Sequence, residues 1–394
     1  THPELLDPTD GSPAYQQYLI YRHDTRNIDS TSPTQKYRFI MHDYDEAYLD
    51  ARQTLSNDFV NGSFVFGTDD IHYFSRIRFA GSPWARTKWG SFRLRTPRQD
   101  PLHGEIHQCN LEQNQWGPSD GHQRLSHYLL RYLSRPWAPA PYDFPRLVHV
   151  WVNDRDIGVR SHYEVPNGDT LEKWWPDDDT GDFFEVDDRF ELNDGGARIN
   201  SRDAFLRYPP YGSNGDDQEE YRWYFNLRRD EDGDNYGNLI DFAKIMDPGD
   251  TSDGQFDAII DQYANVENFL RIWAVRMNSD DWDTWGTSRG KNAYLYRPPT
   301  EGLWHMLPWD MELTYGDVNS FGHPTGSGGS FNFSFPEVNR LLNRPRIRRL
   351  YYGILREMVD GPFRSAHLTA YMTRLDALGI GGTDAGKSGG FVDQ

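Results

Sequence analysis

The sequence predicts an α+β protein, with strands gathered before residue 166 and helices dominating after it. Two observations set that order. The stretches "HYFSRIRF" (72–79) and "SFRLR" (91–95) alternate polar and apolar residues as half-buried strands do, and "RLVHVWVN" (146–153) and "IGVRSHYEV" (157–165) read as a second strand pair. "QFDAIIDQYANVENFLRIWAVRMN" (255–278) instead spaces its apolar residues at helical intervals. A third observation makes the chain globular. At 394 residues it can bury a substantial core, and its 13 Trp, 23 Tyr and 22 Phe argue against disorder despite a polar average.

In chain order, "YRFIMH" (37–42) is a short strand, followed by a polar helix near 45–56. The Gly81–Pro83 turn makes a hairpin of 72–79 and 91–95. "HQRLSHYLLRYLS" (122–134) spaces leucines and tyrosines as one helix face, and the turn "DRD" joins the strands at 146–153 and 157–165. The chain then turns acidic and loop-rich until the long helix at 255–278. "YLY" and "WHML" form a hairpin around "RPPTEG", and the segments from 336 onward are helical with a break at Pro345. This order divides the chain into a β-rich part (1–166), a mostly helical part (167–380) and a Gly-rich tail (381–394) that reads as a linker to further sequence. The start "THPELLDP", without Met or an apolar leader, reads as a processed form or an excised piece of a longer multidomain chain.

A net charge of −19 argues against general attraction to nucleic acid or anionic membrane. No run approaches the ~20 apolar residues of a membrane span. The single cysteine, Cys109, excludes an intrachain disulfide and a zinc–thiolate cluster.

The chemistry concentrates in "MNSDDWDTWG" (277–286) and "LWHMLPWDMELTYG" (303–316), which set carboxylates against apolar surface. A buried carboxylate needs a cation, a cap or a metal. Asp280, Asp281 and Asp283 after a helix, then Asn292 at a strand start, then Asp310 past a hairpin, match a phosphotransferase in kind and order. One carboxylate takes the acceptor's proton, while an amide oxygen and a second carboxylate hold magnesium. The plainer alternative is a solvated helix-end loop with Asp310 capping a turn.

"RIRFAGSPWARTKWGSFRLR", "VHVWVNDRDIGVRSHYEV", "WDTWG…KNAYLY" and "WHMLPWDMELTYG" together resemble the spore-coat protein H (CotH) kinase family, from roughly residue 60 to 370. The resemblance implies a bilobal, protein-kinase-like fold, in which a β-rich N-terminal lobe covers the nucleotide and a helical C-terminal lobe carries the catalytic and metal loops. It also implies an atypical Ser/Thr protein kinase that uses ATP with Mg²⁺ or Mn²⁺ on a protein acceptor, in a coat or cell-surface setting. By motif match, Asp310 is the metal ligand, Asp283 the catalytic base with Asp281 second, and Asn292 an amide ligand or positioning group. Lys88 contacts the phosphates with support from Arg78, and Glu164 is its ion-pair partner. Glu312, where the family has Asp, remains a metal ligand of altered reach. The two residues inserted between Arg78 and Gly81, and the long Asp283–Asn292 spacing, depart from the family pattern. They keep a second reading open: a catalytically silent, Ca²⁺-stabilised binding module of a larger surface or coat assembly.

"DEDGDNYGNLID" (230–241) places Asp230, Asp232, Asp234, Asn238 and Asp241 in a calcium-loop register, although Asn235 stands where the turn glycine belongs; a solvated acidic loop is the alternative. "NRPRIRRL" (343–350) reads as a helix face, or as a binder of an acidic acceptor. "GHPTGSGGSFNFS" (322–334) lies where a kinase carries its activation loop and reads as a mobile acceptor-binding segment, or equally as a plain flexible loop.

Overall fold

The computed structural model describes residues 35–67, 70–81, 86–113, 119–143, 145–187, 204–209, 218–229, 233–287, 289–315 and 335–377. The protein is mixed α and β, and it divides into two compact units. Residues 1–115 and 144–165 form the first, and residues 116–143 and 166–394 the second.

In the first unit, β1 (Gln35–Ile40) leads into α1 (Asp43–Ala51), whose first turn is acidic and whose N-cap His42 accepts from Tyr44 N. Strands β2 (Val60–Phe66), β3 (Asp70–Phe79), β4 (Phe92–Arg95) and β5 (Gln108–Glu112) follow, and β6 (Arg146–Val152) and β7 (Arg155–Glu164) complete the set. The seven close into a barrel in the order β1-β2-β3-β4-β5-β7-β6, with β1 and β6 pairing in parallel to shut it. Closure leaves no edge strand exposed for pairing with another chain. The inward side of each strand supplies the core, among them Tyr37, Phe39, Phe64, Ile77, Phe79, Phe92, Leu94, Cys109 and Val150. Gly62 is required by this packing, because a Cβ there would lie 2.4 Å from the Ile40 carbonyl oxygen and against the Phe39 ring. The expected hairpin of 72–79 with 91–95 is the β3–β4 pair. The β6–β7 turn falls at Asn153, at φ +49°, one position before the expected "DRD".

The second unit opens with α2 (Ser119–Leu133) and continues with α3 (Gly168–Trp174), β8 (Asp182–Val186), α4 (Gln218–Arg222), β9 (Phe225–Leu227) and α5 (Gly237–Met246). Helices α6 (Asp253–Ile259) and α7 (Val266–Asn278), strands β10 (Ala293–Arg297) and β11 (His305–Pro308), and helices α8 (Pro336–Asn343), α9 (Pro345–Asp360) and α10 (Ser365–Ala377) complete it. A division at residue 166 assigns α2 to the first part; α2 instead packs on α7 and α9 in the second. The expected helix over 255–278 is two helices. Ala264 bridges to Trp304, and Asn265 caps the new helix by accepting from Asn268 N. Pro345 separates α8 from α9 as expected, sitting at the first position of α9 where its missing N–H costs nothing. The antiparallel sheet β11-β10-β8-β9 lies on a core that includes Phe269, Trp273, Trp285, Leu295 and Met306. Buried Asn268 locks α7 to β11, its Oδ1 accepting from Met306 N at 2.7 Å and its Nδ2 donating to Met306 O at 3.1 Å.

Candidate functional site

Helix α7 ends at Asn278, and the chain runs through Asp280–Asn292 into the β10–β11 hairpin, leaving it at Asp310. Trp273 and Trp285, both fully buried, anchor the loop against the helix with ring centroids 5.7 Å apart. Trp285 N donates to Lys291 O at 2.8 Å, which closes the far end of the loop.

Arg276, on the last turn of α7, gathers the segments. It is fully buried and donates from Nε to Asp281 Oδ2 at 2.7 Å, from Nη1 to the carbonyls of Asn292 (2.7 Å) and Trp309 (3.0 Å), and from Nη2 to that of Asp310 (3.2 Å). A single guanidinium therefore ties the aspartate loop, the start of β10 and the exit of β11. Asp281 is equally buried, and its Oδ1 accepts from Asp283 N at 3.2 Å. Burial pushes the Asp281 carboxyl up to about 7; Arg276 opposes this, and the neighbouring Asp283 and Asp310 carboxylates add to it.

Asp283 is held from two sides. Lys291 Nζ lies 3.2 Å from its Oδ2, and Asn292 Nδ2 donates to the same oxygen at 3.1 Å and to the Asp283 carbonyl at 2.7 Å. Asn292 and Asp310 both adopt left-handed backbone, at φ +59° and +48°, as does Asp280 at +61°. Asn and Asp tolerate this region best among residues with a Cβ, and such conformations concentrate where a site needs a group aimed.

The structure thus brings together Asp281, Asp283 and Asn292, with Asp310 joined through its carbonyl and its charge. Glu312 is half-buried two residues on, past fully buried Met311. Sequence reasoning missed Arg276 and Lys291, the cations that pair with Asp281 and Asp283. Lys291 stands inside the quoted "KNAYLY", and Arg276 is five residues before Asp281; a basic residue one turn ahead of an aspartate loop was the available signal.

The remaining expectations fall in the first unit or elsewhere in the second. Lys88 is exposed and its Nζ donates to the Asp50 carbonyl rather than pairing with Glu164. Glu164 ends β7, opposite Cys109. Arg78 donates to the Phe79 carbonyl at 2.8 Å. The calcium-loop register does not persist as a loop. Helix α5 opens at Gly237 and carries Asn238 and Asp241, so positions nine and twelve are helical. Asp234 pairs with Arg222, Asn238 donates to Asp182 Oδ2 at 2.7 Å, and Asp241 lies 3.6 Å from Lys244. Asp230 and Asp232 lie outside the described residues, as does the 322–334 segment. Of the "NRPRIRRL" arginines, Arg344 pairs with Asp253 and Asp257 and Arg346 with Asp261, while Arg348 donates to the Leu342 carbonyl at 2.7 Å and to Asn343 Oδ1 at 3.0 Å.

Among the described residues, no group of three or more His, Cys, Asp or Glu side chains is arranged to hold a metal unaided. Asp283, Asn292, Asp310 and Glu312 do offer hard oxygen donors. That set suits Mg²⁺ or Mn²⁺, which keep few protein ligands and take the rest from water and phosphate.

A buried Arg–Asp pair fastens the aspartate loop to the hairpin, with an asparagine and a second aspartate at its two strand ends. The family model of the CotH kinase protein matches residues 77–379. The chain belongs to that family. No curated protein matches the chain. Among the described residues, no helix is long and apolar enough to cross a membrane.

Proposed function

We propose that the protein is an atypical Ser/Thr protein kinase of the CotH type, transferring the γ-phosphate of ATP to a protein hydroxyl with Mg²⁺ or Mn²⁺. The observation that supports this best is the hold on Asp283. Lys291 and Asn292 fix its carboxylate within a loop that Arg276 locks to the Asp310 carbonyl.

In this reading Asp283 orients the acceptor hydroxyl and takes its proton as the hydroxyl oxygen bonds to the γ-phosphorus and the bond to the ADP oxygen breaks. Lys291 pairs with the Asp283 carboxylate and holds it in place, and Asn292 fixes its rotamer while presenting an amide oxygen. Asp281 is a positioning residue: its fully buried carboxylate holds Arg276 and the Asp283 backbone and is not placed to meet substrate. Asp310, with Asn292 and Glu312, would hold the divalent ion, which when bound neutralises the phosphate oxygens. Lys88 and Arg78 would meet the phosphates from the first unit, and Glu164 would orient Lys88 once nucleotide draws it from the Asp50 carbonyl. The bilobal kinase arrangement, with the barrel as the nucleotide-covering lobe, belongs to the same proposal, as does a coat or surface setting.

The test is transfer from γ-labelled ATP to a panel of Ser/Thr acceptors, with self-labelling read in parallel. Asp283→Asn and Asp310→Asn are each expected to lower transfer by roughly 10³-fold or more. Thermal unfolding should stay near that of the parent for Asp310→Asn, whereas Asp283→Asn strands the buried Lys291 and is assayed well below its own melting temperature. Labelling of either variant at the parent's rate would refute the assignment.

A further inference from the structure

Helix α1 gives the barrel core one fully buried side chain, Leu49, although a helix this short is stable in a protein mainly through the face it packs. Polar contacts fasten its inner side instead. Glu46 accepts from Asn153 Nδ2 at 2.6 Å and lies 3.4 Å from Arg155, and Asn153 Oδ1 accepts from Met41 N at 2.9 Å. At the far end, Asp50 Oδ1 accepts from Trp89 Nε1 at 2.7 Å and the Asp50 carbonyl accepts from Lys88. The Arg52 N–H closes the last turn on the Tyr48 carbonyl at 3.0 Å. The helix is thus held rigidly from one side.

Its remaining apolar residues point the other way. Tyr44 and Tyr48 are 72% and 44% exposed, Ala47 and Ala51 are exposed with them, and Leu55, in the turn beyond, is 38% exposed. Tyr44, Ala47, Tyr48 and Ala51 stand at i, i+3, i+4 and i+7, one continuous helix face with the spacing of residues that anchor helix recognition. Isolated exposed aromatics are ordinary, whereas a contiguous apolar stripe with a polar rim marks a contact surface. Here the rim is acidic. On the helical wheel Asp43 and Asp50 fall along one edge of the stripe and Asp45 along the other. Among the described residues no cation lies within ion-pair distance of Asp43 or Asp45.

We propose that the outer face of α1 docks a cationic amphipathic helix of a partner protein. Its apolar side chains would pack around Tyr44 and Tyr48 over the alanines, and its lysines or arginines would meet Asp43 and Asp45. The small Ala47 and Ala51 let two helices approach closely, and tyrosines supply wide contact area at low entropic cost. An apolar seam with charged edges selects its partner by the opposite charge at the matching edges. A second copy of this chain is the poorer occupant, because pairing two α1 stripes sets acidic rim against acidic rim in a chain of net charge −19. The same charge turns the face away from an anionic membrane. The inference goes beyond phosphate transfer and does not rest on it, because docking is read without nucleotide.

Fluorescence anisotropy of the full chain tests it at about 0.15 M salt, with a labelled Leu/Lys peptide whose leucines repeat at helical spacing. This peptide is expected to bind at least about tenfold more tightly than one of the same composition rearranged to lose the stripe, and a copy with Glu in place of Lys is expected not to bind. Tyr44→Ser/Tyr48→Ser should abolish the preference for the striped peptide with the melting temperature unchanged, since both residues are exposed and Ser matches Tyr in helix propensity. Tyr44→Ser alone, which keeps the contact of Arg52 with the Tyr48 ring, serves if the pair perturbs folding. Absence of binding, equal binding of the rearranged or the Glu peptide, or binding indifferent to these variants would each overturn the proposal. So would self-association of the chain in sedimentation that Tyr44→Ser/Tyr48→Ser abolishes, since the face would then belong to a second copy.

Discussion

Replacing Arg276 by Met should damage the second unit more than almost any single surface change. The side chain is fully buried, pairs at 2.7 Å with an equally buried Asp281, and serves three carbonyls besides. Removing one partner of a buried pair leaves an uncompensated charge, at about 3–5 kcal/mol. The carbonyls of Asn292, Trp309 and Asp310 lose their shared donor, at about 1 kcal/mol each where water does not replace it. The sum is about 6–8 kcal/mol. At about 2–4 °C per kcal/mol for a unit of this size, the melting temperature should fall by roughly 10 °C or more. The assay is urea and thermal unfolding of the parent, Arg276→Met, Asp281→Asn and the double variant. Because Asp281→Asn removes the charge that Arg276→Met strands, the double variant should be less damaged than the sum of the singles, by about 1–3 kcal/mol. A cost below about 1 kcal/mol for Arg276→Met, or additivity within about 0.5 kcal/mol, would refute the claim that this guanidinium fastens the loop to the hairpin.

Lys291→Met should lower phosphate transfer by on the order of 10²-fold, with Lys291→Arg recovering part of it in the same labelling assay; full activity in the Met variant would remove Lys291 from the site. ATP with Mg²⁺ should raise the melting temperature, by the equivalent of about 2.7 kcal/mol at a hundredfold excess over Kd, and Asp310→Asn should abolish the shift. A shift with Ca²⁺ alone and none with nucleotide would favour a silent binding module instead. Glu337, buried in α8 and accepting from Leu206 N at 3.1 Å, is pushed up to about 8 by burial. Its folded form holds a proton that the unfolded form releases near pH 4.5, so its contribution is present below that pH and is lost as pH rises toward 8. The loss runs at about 1.4 kcal/mol per pH unit. Urea titrations across pH 5–8 should show this slope flattened in Glu337→Gln; identical slopes would place the titration elsewhere.

The parts of the fold legible in the sequence were those whose periodicity is set by one neighbour. Strands β3, β4, β6 and β7 alternate because one side faces the barrel core, and the β10–β11 hairpin is bounded by its own turn. What escaped was decided by distant partners. Strand β2 contains Gly62, unfavourable in a strand by itself and required only because Phe39 and Ile40 press against it. Strand β8 is five residues inside an acidic run, and it becomes a strand by pairing with β10 more than a hundred residues later. Barrel closure depends on the parallel β1–β6 pair, which no local pattern encodes.

The same division explains the site. Asp283, Asn292 and Asp310 could be singled out because their residue types suit phosphate and metal chemistry and their order is local. Arg276 carried only the weak signal of a basic residue ahead of an aspartate loop, and on a helical wheel it reads as one more polar residue at the end of an amphipathic helix. Its significance arises only when the hairpin returns and presents the carbonyls of Asn292, Trp309 and Asp310 to it. The sequence raised the question of what neutralises carboxylates set among tryptophans, and pointed to a metal and a triphosphate. The structure gives Asp281 an internal arginine and Asp283 an internal lysine. The aspartate loop therefore carries its own counter-cations, and tryptophans can close around it because Asp281 and Asp283 already meet positive charges.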